Sequence, residues 1–265
     1  MKMNRRFVVL GQDARMQAAA AALAEAGCTL LDPVWTEQAD CVVLPVRLEE
    51  RSPELALALA LARPDARLLG GAVSPGAAAR ARAAGFALRD YMQWEELALL
   101  NAIPTAEGCL ALLLDGRRTT LWDSDLLLLG YGRVGQAIGR RLLALGVRVT
   151  AVDGNPARRA AARADGCRAP AAEQLAAAAQ GADTVVNTVP APLLDESLLA
   201  RLAPGARVIE LAGHGAADAE AAARLGIQLI PAPGLPGKCA PVTAGRFIAR
   251  AVLSILNQAE QEERR

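Results

Sequence analysis

Histidine, lysine and aromatic side chains are nearly missing from this sequence. His214 is the only imidazole in 265 residues, Lys2 and Lys238 are the only lysines, and Phe, Trp and Tyr together make 3% of the chain. Five cysteines (28, 41, 109, 167 and 239) are scattered without a C-x-x-C pair. With one histidine, that pattern argues against a zinc site, and an odd cysteine count argues against a disulfide framework. The thiols are expected to be small apolar groups in a reducing compartment, with Cys239, in a Gly/Pro-rich loop, the one candidate for a role. Basic blocks are absent at a formal net charge of +1. This excludes a nucleic-acid surface, which needs clustered cations to neutralise phosphates. No stretch approaches ~18 continuous apolar residues. The opening MKMNRRF runs straight into a strand rather than a signal-peptide core. We therefore expect a soluble, cytoplasmic protein with no membrane partner.

Apolar residues make up 53% of the chain, so the core must be built from Ala, Leu and Val. Of 29 basic residues two are lysines, leaving 27 arginines. A sequence that uses arginine wherever it will serve, yet keeps Lys238 in a loop, hints that a compact ammonium is needed there rather than a planar fork.

Strands and helices alternate throughout, which predicts parallel sheets covered on both faces. In the first series, strands fit residues 5–10, 28–31, 41–46 and 67–70, with helices at 14–26, 53–62 and 75–84. The second series has strands at 125–129, 147–152, 183–189, 206–211 and 227–230. Its helices fit 133–145, 156–165, 171–180, 195–202 and 218–225. Between the series, NAIPTAEGCLALLLDG predicts one connecting helix that starts near Pro104, with Thr105 or Glu107 helping to cap it. A last helix is expected at 241–258, with a frayed charged tail EQEERR. The expected fold class is α/β: two Rossmann-like domains with parallel sheets separated by a cleft, the C-terminal helix packing back on the first domain. Residues 1–103 plus 241–265 would form the substrate domain and 104–240 the NAD(P)-binding domain.

The clearest motif is DLLLLGYGRVGQAIGRRLLALGVRVTAVDGN, residues 125–155. A buried strand leads into Gly130, Gly132 and Gly135, a G-x-G-x-x-G turn followed by a helix and a second strand. The first glycine allows the tight turn, the second lets a pyrophosphate approach the backbone, and the third lets the helix pack close. The helix start then offers unpaired N–H groups and a positive dipole end to the phosphates. Tyr131, Arg133 and Val134 belong to the same cofactor loop. Asp153 closes the second strand, where a carboxylate accepts ribose hydroxyls and repels a 2′-phosphate, which leans toward NAD. Asn155, Arg158 and Arg159 follow directly, and an arginine there would suit NADP instead. Asn187, Thr188, Val189 and Pro190 end another strand on the same rim and suit a nicotinamide ribose. His214, flanked by glycines after the next strand, reads equally as an acid/base or carboxylate-binding group and as a plain turn residue.

Five stretches, GQDAR, NAIPTAEG, GYGRVG, VNTVPAPLL and APGLPGKCAPVTAG, together resemble the A subunits of dipicolinate synthase from endospore-forming bacteria, in that family's order along essentially the whole chain. The layout is similar, more distantly, to alanine dehydrogenases. The resemblance implies NAD(P)-dependent oxidation of dihydrodipicolinate, from 4-hydroxy-tetrahydrodipicolinate, to dipicolinate during sporulation in the mother-cell cytoplasm. It also implies that the partner is the flavoprotein-like B subunit of dipicolinate synthase. The chain departs from the family pattern in two places. An arginine is common at the turn that holds His214, and a lysine precedes the threonine of the last motif where this chain has Val242.

The N-terminal FVVLGQDARMQ begins like a nucleotide-binding turn but has Asp13 and Arg15 where later glycines would stand. With the dinucleotide assigned to the second domain, this turn is free for a small dicarboxylate substrate. Arg15 offers a fork for one carboxylate, and Lys238 with Thr243 serves the other. Asp13 orients Arg15 or accepts a proton, which with His214 and Lys238 completes the candidate catalytic set. A homo-oligomer is compatible with the apolar connecting helix. Two other readings use the same scaffold: an amino-acid or hydroxy-acid dehydrogenase, and a non-catalytic dinucleotide-binding scaffold or sensor protein.

Overall fold

The computed structural model describes residues 5–213 and 215–264. His214 and Lys2 therefore lie outside the described residues. The chain forms two compact units: one holds the chain up to Asn101 together with the segment from Ala240 onward, the other runs from Ala102 to Cys239.

In the first unit, strands β1 (Arg6–Val9), β2 (Thr29–Leu30), β3 (Cys41–Val46), β4 (Arg67–Gly71) and β5 (Leu88–Asp90) form one parallel sheet in the order β2-β1-β3-β4-β5. Helices α1 (Ala14–Glu25), α2 (Pro53–Leu61) and α3 (Pro75–Ala83) connect them. Successive side chains of a strand point to opposite faces, and both faces here are buried. Phe7, Val43 and Leu69 pack with Met16 and Leu23 of α1, whereas Val8, Val42 and Leu68 pack with Leu55 and Ala58 of α2.

The second unit repeats the plan. Helix α4 (Glu95–Leu114) runs from the first unit into it. Strands β6 (Asp125–Leu129), β7 (Arg148–Val152), β8 (Thr184–Asn187), β9 (Arg207–Glu210) and β10 (Gln228–Pro231) form a parallel sheet in the order β10-β9-β8-β6-β7. Between and after them lie α5 (Arg133–Ala144), α6 (Pro156–Asp165), α7 (Leu175–Ala178), α8 (Glu196–Leu199), α9 (Ala219–Arg224) and α10 (Leu235–Cys239). Leu126 and Leu128 face the α5 side with Ile138 and Leu142, while Leu127 and Leu129 face Leu198, Leu199 and Ala221. Burying each such Leu or Val contributes about 1.5–3 kcal/mol.

The final helix, α11 (Pro241–Glu263), belongs to the first unit and covers the face of its sheet that carries α1. Ile248, Val252 and Ile255 join Phe7, Met16 and Leu97 in one core. Gly245 makes the approach possible, because a Cβ there would overlap the carbonyl oxygen of Arg15 and lie 2.8 Å from the amide nitrogen of Ala19.

Three expectations need correction. The connecting helix begins at Glu95, not Pro104, and contains Pro104 in its interior. Glu95 and Glu96 favour the positive end of the helix in its first turn. Pro104 removes one i→i−4 bond there, a cost of about 3 kcal/mol in an isolated helix that packing offsets. By length and mean hydropathy α4 alone among the described helices would suit a membrane span, but Leu97, Ala102, Ala106, Cys109 and Leu113 are buried in the protein core. The charged tail is helical through Glu263, because Glu260 pairs with Arg5 and Glu263 pairs with Arg67 at 2.8 Å. Strand β5 is an addition to the expected set, since LRD carries a single apolar residue.

Substituting Gly245→Val is expected to destabilise the first unit by about 2–3 kcal/mol through forced separation of α1 and α11, read as a lower denaturant midpoint in chemical unfolding.

Candidate functional site

Parallel pairing in the second sheet places Val152, Leu129, Asn187 and Glu210 side by side at the C-terminal ends of β7, β6, β8 and β9. The strand ends, loops and helix starts at this edge carry the expected cofactor residues. Gly130 has φ +86, a left-handed value that only glycine adopts easily, and a Cβ there would collide with Thr188 and Val189. A Cβ on Gly135 would overlap the carbonyl oxygen of Gly130, so α5 packs directly onto the turn. Gly132 differs from both: a Cβ there would meet only the Arg158 guanidinium at 3.9 Å. As N-cap of α5 it offers no side chain to the helix start, which leaves the first N–H groups for an anion. Strand, turn and helix thus fit the diphosphate of a dinucleotide.

Asp153 directly follows β7 at this edge. Its carboxylate is only 8% exposed and accepts from Tyr131 N and Asn155 N, both at 2.8 Å. These two bonds use half of a carboxylate's acceptor capacity, so two further donors can be met. Arg158 Nη1 lies 3.7 Å from Oδ2. Arg159 is engaged otherwise, donating to the carbonyls of Asp153 and Gly154 at 2.9 Å. Asn155 caps α6 through Ala157 N at 2.8 Å. Arg133 is exposed and Val134 packs against the core.

Two expected cofactor residues have inward side chains. Tyr131 is fully buried beneath α5, its hydroxyl donating to Asp165 at 2.8 Å, and burial followed by that carboxylate pushes its pKa up. Its contribution to the loop is therefore backbone. Asn187 is also fully buried; it donates to Glu210 Oε2 at 2.7 Å and accepts from Val189 N at 3.0 Å. It shapes the 188–194 loop rather than facing a ribose. Thr188 donates to Leu129 O at 2.8 Å, while Pro190 is exposed on the rim.

Glu210 escaped sequence reasoning, although a carboxylate inside the apolar run VIEL was the available signal. It is 5% exposed, and burial raises its pKa against the opposing bonds from Asn187 and the amides of Ala212 and Gly213. One oxygen accepts from Asn187 and the other from Ala212 N at 2.7 Å. The pair therefore ties the loop after β8 to the loop after β9.

In the first unit Asp13 is the N-cap of α1, accepting from Arg15 N and Met16 N at 2.9 and 3.0 Å. Its second oxygen lies 3.6 Å from Arg15 Nη2. The Arg15 side chain is 18% exposed, and its Nε is buried without a hydrogen-bond partner. In the same unit the buried Tyr91 donates to Leu44 O at 2.8 Å. Thr243 is exposed in the first turn of α11, also in this unit, whereas Lys238 is exposed in α10 of the second unit. Cys239 donates from Sγ to Leu235 O at 2.9 Å and Pro104 O at 3.2 Å.

Because both oxygens of Glu210 accept, Glu210→Gln must turn one amide N–H₂ toward a donor. It is expected to weaken dinucleotide binding severalfold, by a change worth about 1–2 kcal/mol, in a fluorescence titration with reduced cofactor.

Residues 114–225 match the NAD-binding domain of the D-isomer specific 2-hydroxyacid dehydrogenases. The chain is 32% identical over 170 residues to the A subunit of dipicolinate synthase from Bacillus subtilis (strain 168), a match covering 64% of this chain and 57% of that protein. The solved structure of the dipicolinate synthase A chain from Bacillus subtilis superposes with a TM-score of 0.86 at 25% identity, covering 99% of both chains. The corresponding A subunit from Bacillus halodurans gives 0.86 at 24% identity, over 97% of this chain and 99% of that one. The chain is thus similar in sequence and fold to the A subunits of dipicolinate synthase, with a nicotinamide-dinucleotide-binding domain of dehydrogenase type in its second unit.

Proposed function

We propose that this protein is the A subunit of dipicolinate synthase, an NAD(P)-dependent oxidoreductase that converts dihydrodipicolinate to dipicolinate. The observation that carries this reading is the 32% identity to the Bacillus subtilis protein. The reaction removes one hydride and one proton from the ring, and aromaticity favours the product. When bound at the Gly130–Gly135 turn, the dinucleotide supplies the hydride acceptor. The protein's own residues bind, orient and neutralise charge. Arg15 holds one carboxylate, set in place by Asp13, and its unpartnered buried Nε supports a role toward an incoming acceptor. Thr243, exposed in the same unit as Arg15, offers a hydroxyl to the second carboxylate. The ring proton passes to water or to His214, the chain's only imidazole. The first unit acts as the substrate domain. Its relatives being A subunits supports a B subunit in the role of partner.

For the dinucleotide, Asp153 supports NAD. Its two remaining acceptor sites suit ribose hydroxyls, and its charge opposes a 2′-phosphate. Replacing Asp153→Ala is expected to shift the ratio of kcat/KM values toward NADP by at least about tenfold, with Arg158 then unopposed. An unchanged ratio removes Asp153 from cofactor choice.

The direct test supplies freshly generated dihydrodipicolinate and NAD to the purified chain, with and without the B subunit. Appearance of reduced-cofactor absorbance is expected; cofactor binding without turnover in either arm would favour a sensor or scaffold. In the same assay Arg15→Ala is expected to lower kcat/KM by about 100-fold, the loss of a charge-assisted pair, with the Kd for NADH unchanged. Undiminished turnover removes Arg15 from the site.

A further inference from the structure

Arginines of the first unit divide by their place on the sheet. Near the edge where the strands begin, four are neutralised: Arg5 by Glu260, Arg6 by Asp40 at 3.2 Å, Arg63 by Asp40 at 2.8 Å and Arg67 by Glu263 at 2.8 Å. At the opposite edge, where the strands end, compensation is weak. Arg15 has only Asp13 at 3.6 Å. Arg47 directly follows β3, is exposed, and among the described residues its side chain has neither ion pair nor hydrogen bond.

The backbone at Arg47 is unusual too. Its φ is +67, in the left-handed region, and the only other described non-glycine residue with positive φ is Ala72 at +49. Both follow adjacent strands, β3 and β4, at this same edge. Such conformations are strained for a residue with a Cβ and persist where surrounding structure imposes them. Here the surroundings are specific. Arg47 N donates to Gly71 O at 2.8 Å, and the Asp90 carboxylate accepts from Ala72 N and Val73 N at 3.0 Å. Glycine at position 47 would relieve the strain, so a side chain kept there suggests use.

Packing at this edge joins the end of β3 to the turn that precedes Arg15. The Tyr91 ring fills the space beside Gly71, whose added Cβ would lie 2.6 Å from it, and its hydroxyl bonds Leu44 O within β3. Burial pushes the Tyr91 pKa up, and the Arg15 charge opposes that rise. On the other side Gly11, which leads into the Asp13 turn, touches Pro45 of β3; a Cβ there would stand 3.1 Å away. Arg15 and Arg47 thus flank the adjoining ends of β1 and β3.

We propose that Arg47 is a second anion-binding side chain of the first unit, joining Arg15 to hold a small dicarboxylate at the ends of β1 and β3. The inference rests on the dicarboxylate reading given above and adds a cation to the set named there. Two guanidinium forks on one edge suit two carboxylates on one small ring better than a single carboxylate.

The experiment is calorimetric titration of the full chain, loaded with NAD, with pyridine-2,6-dicarboxylate and with pyridine-2-carboxylate. Wild type is expected to bind the diacid more tightly. Arg47→Gly is expected to weaken the diacid at least about tenfold, to change the monoacid less than about twofold, and to leave the NAD affinity unaltered. Its thermal midpoint should be equal or higher, because glycine accepts the left-handed φ. Arg47→Lys keeps the charge without the fork and should fall between, and it carries the test should the glycine variant fail to fold. Diacid binding unchanged in both variants overturns the role of Arg47 while leaving Arg15 and the functional reading intact. Wild type that binds NAD but not the diacid overturns the dicarboxylate reading and this inference together.

Discussion

Everything in the second unit is organised by one close approach, that of helix α5 to the turn ending β6. No side-chain atom fits between Gly135 and the carbonyl of Gly130, so the helix starts at the sheet edge and aims its free N–H groups outward. Asp153 fixes the other side of the turn by accepting the Tyr131 amide from a neighbouring strand end. A dinucleotide site therefore exists as backbone geometry before any side chain contacts a ligand. This explains why Tyr131 can be turned inward to brace α5 against Asp165 at no loss to the loop.

Sequence patterns revealed what depends on periodicity and on glycine. Apolar runs such as CVVL and DLLLL marked parallel strands buried on both faces, and Gly130, Gly132 and Gly135 marked the turn. The features that stayed hidden depend on long-range packing. Pro104 looked like a helix start, because local preference places proline in a first turn; tertiary packing on both sides of it carries α4 through. The tail looked frayed because nothing nearby in sequence reveals Arg5 and Arg67 as partners for Glu260 and Glu263. Asn187 read as a ligand group because a polar residue at a strand end suits a rim, but its cross-strand neighbour Glu210 captures it. Arg47 gave no signal at all, being one arginine among 27 of the 29 basic residues, with two lysines as the remainder; its left-handed dihedral angle and its place at the end of β3 distinguish it.

The two sheets use their C-terminal edges differently. The second offers backbone N–H groups, a carboxylate at Asp153 and a dry tie between two loops. The first carries two arginines, Arg15 and Arg47, beyond the ends of β1 and β3, with Gly71 packed against the Tyr91 ring. Identical topology therefore supports opposite requirements: one edge suits a ligand whose diphosphate is met by the main chain, the other a ligand whose charges need side chains.

Closing the first unit with α11 has a consequence for how the protein is made. The apolar face of its sheet emerges from the ribosome well before the helix that covers it, with the whole run from Ala102 to Cys239 between them. At ordinary rates of synthesis the interval is on the order of ten seconds. During that time Phe7, Val43 and Leu69 have α1, Tyr91 and Leu97 but not α11 for cover, while the second unit, contiguous in sequence, has all it needs to fold first. The nascent chain thus carries that apolar face without its covering helix for many times longer than a domain takes to collapse.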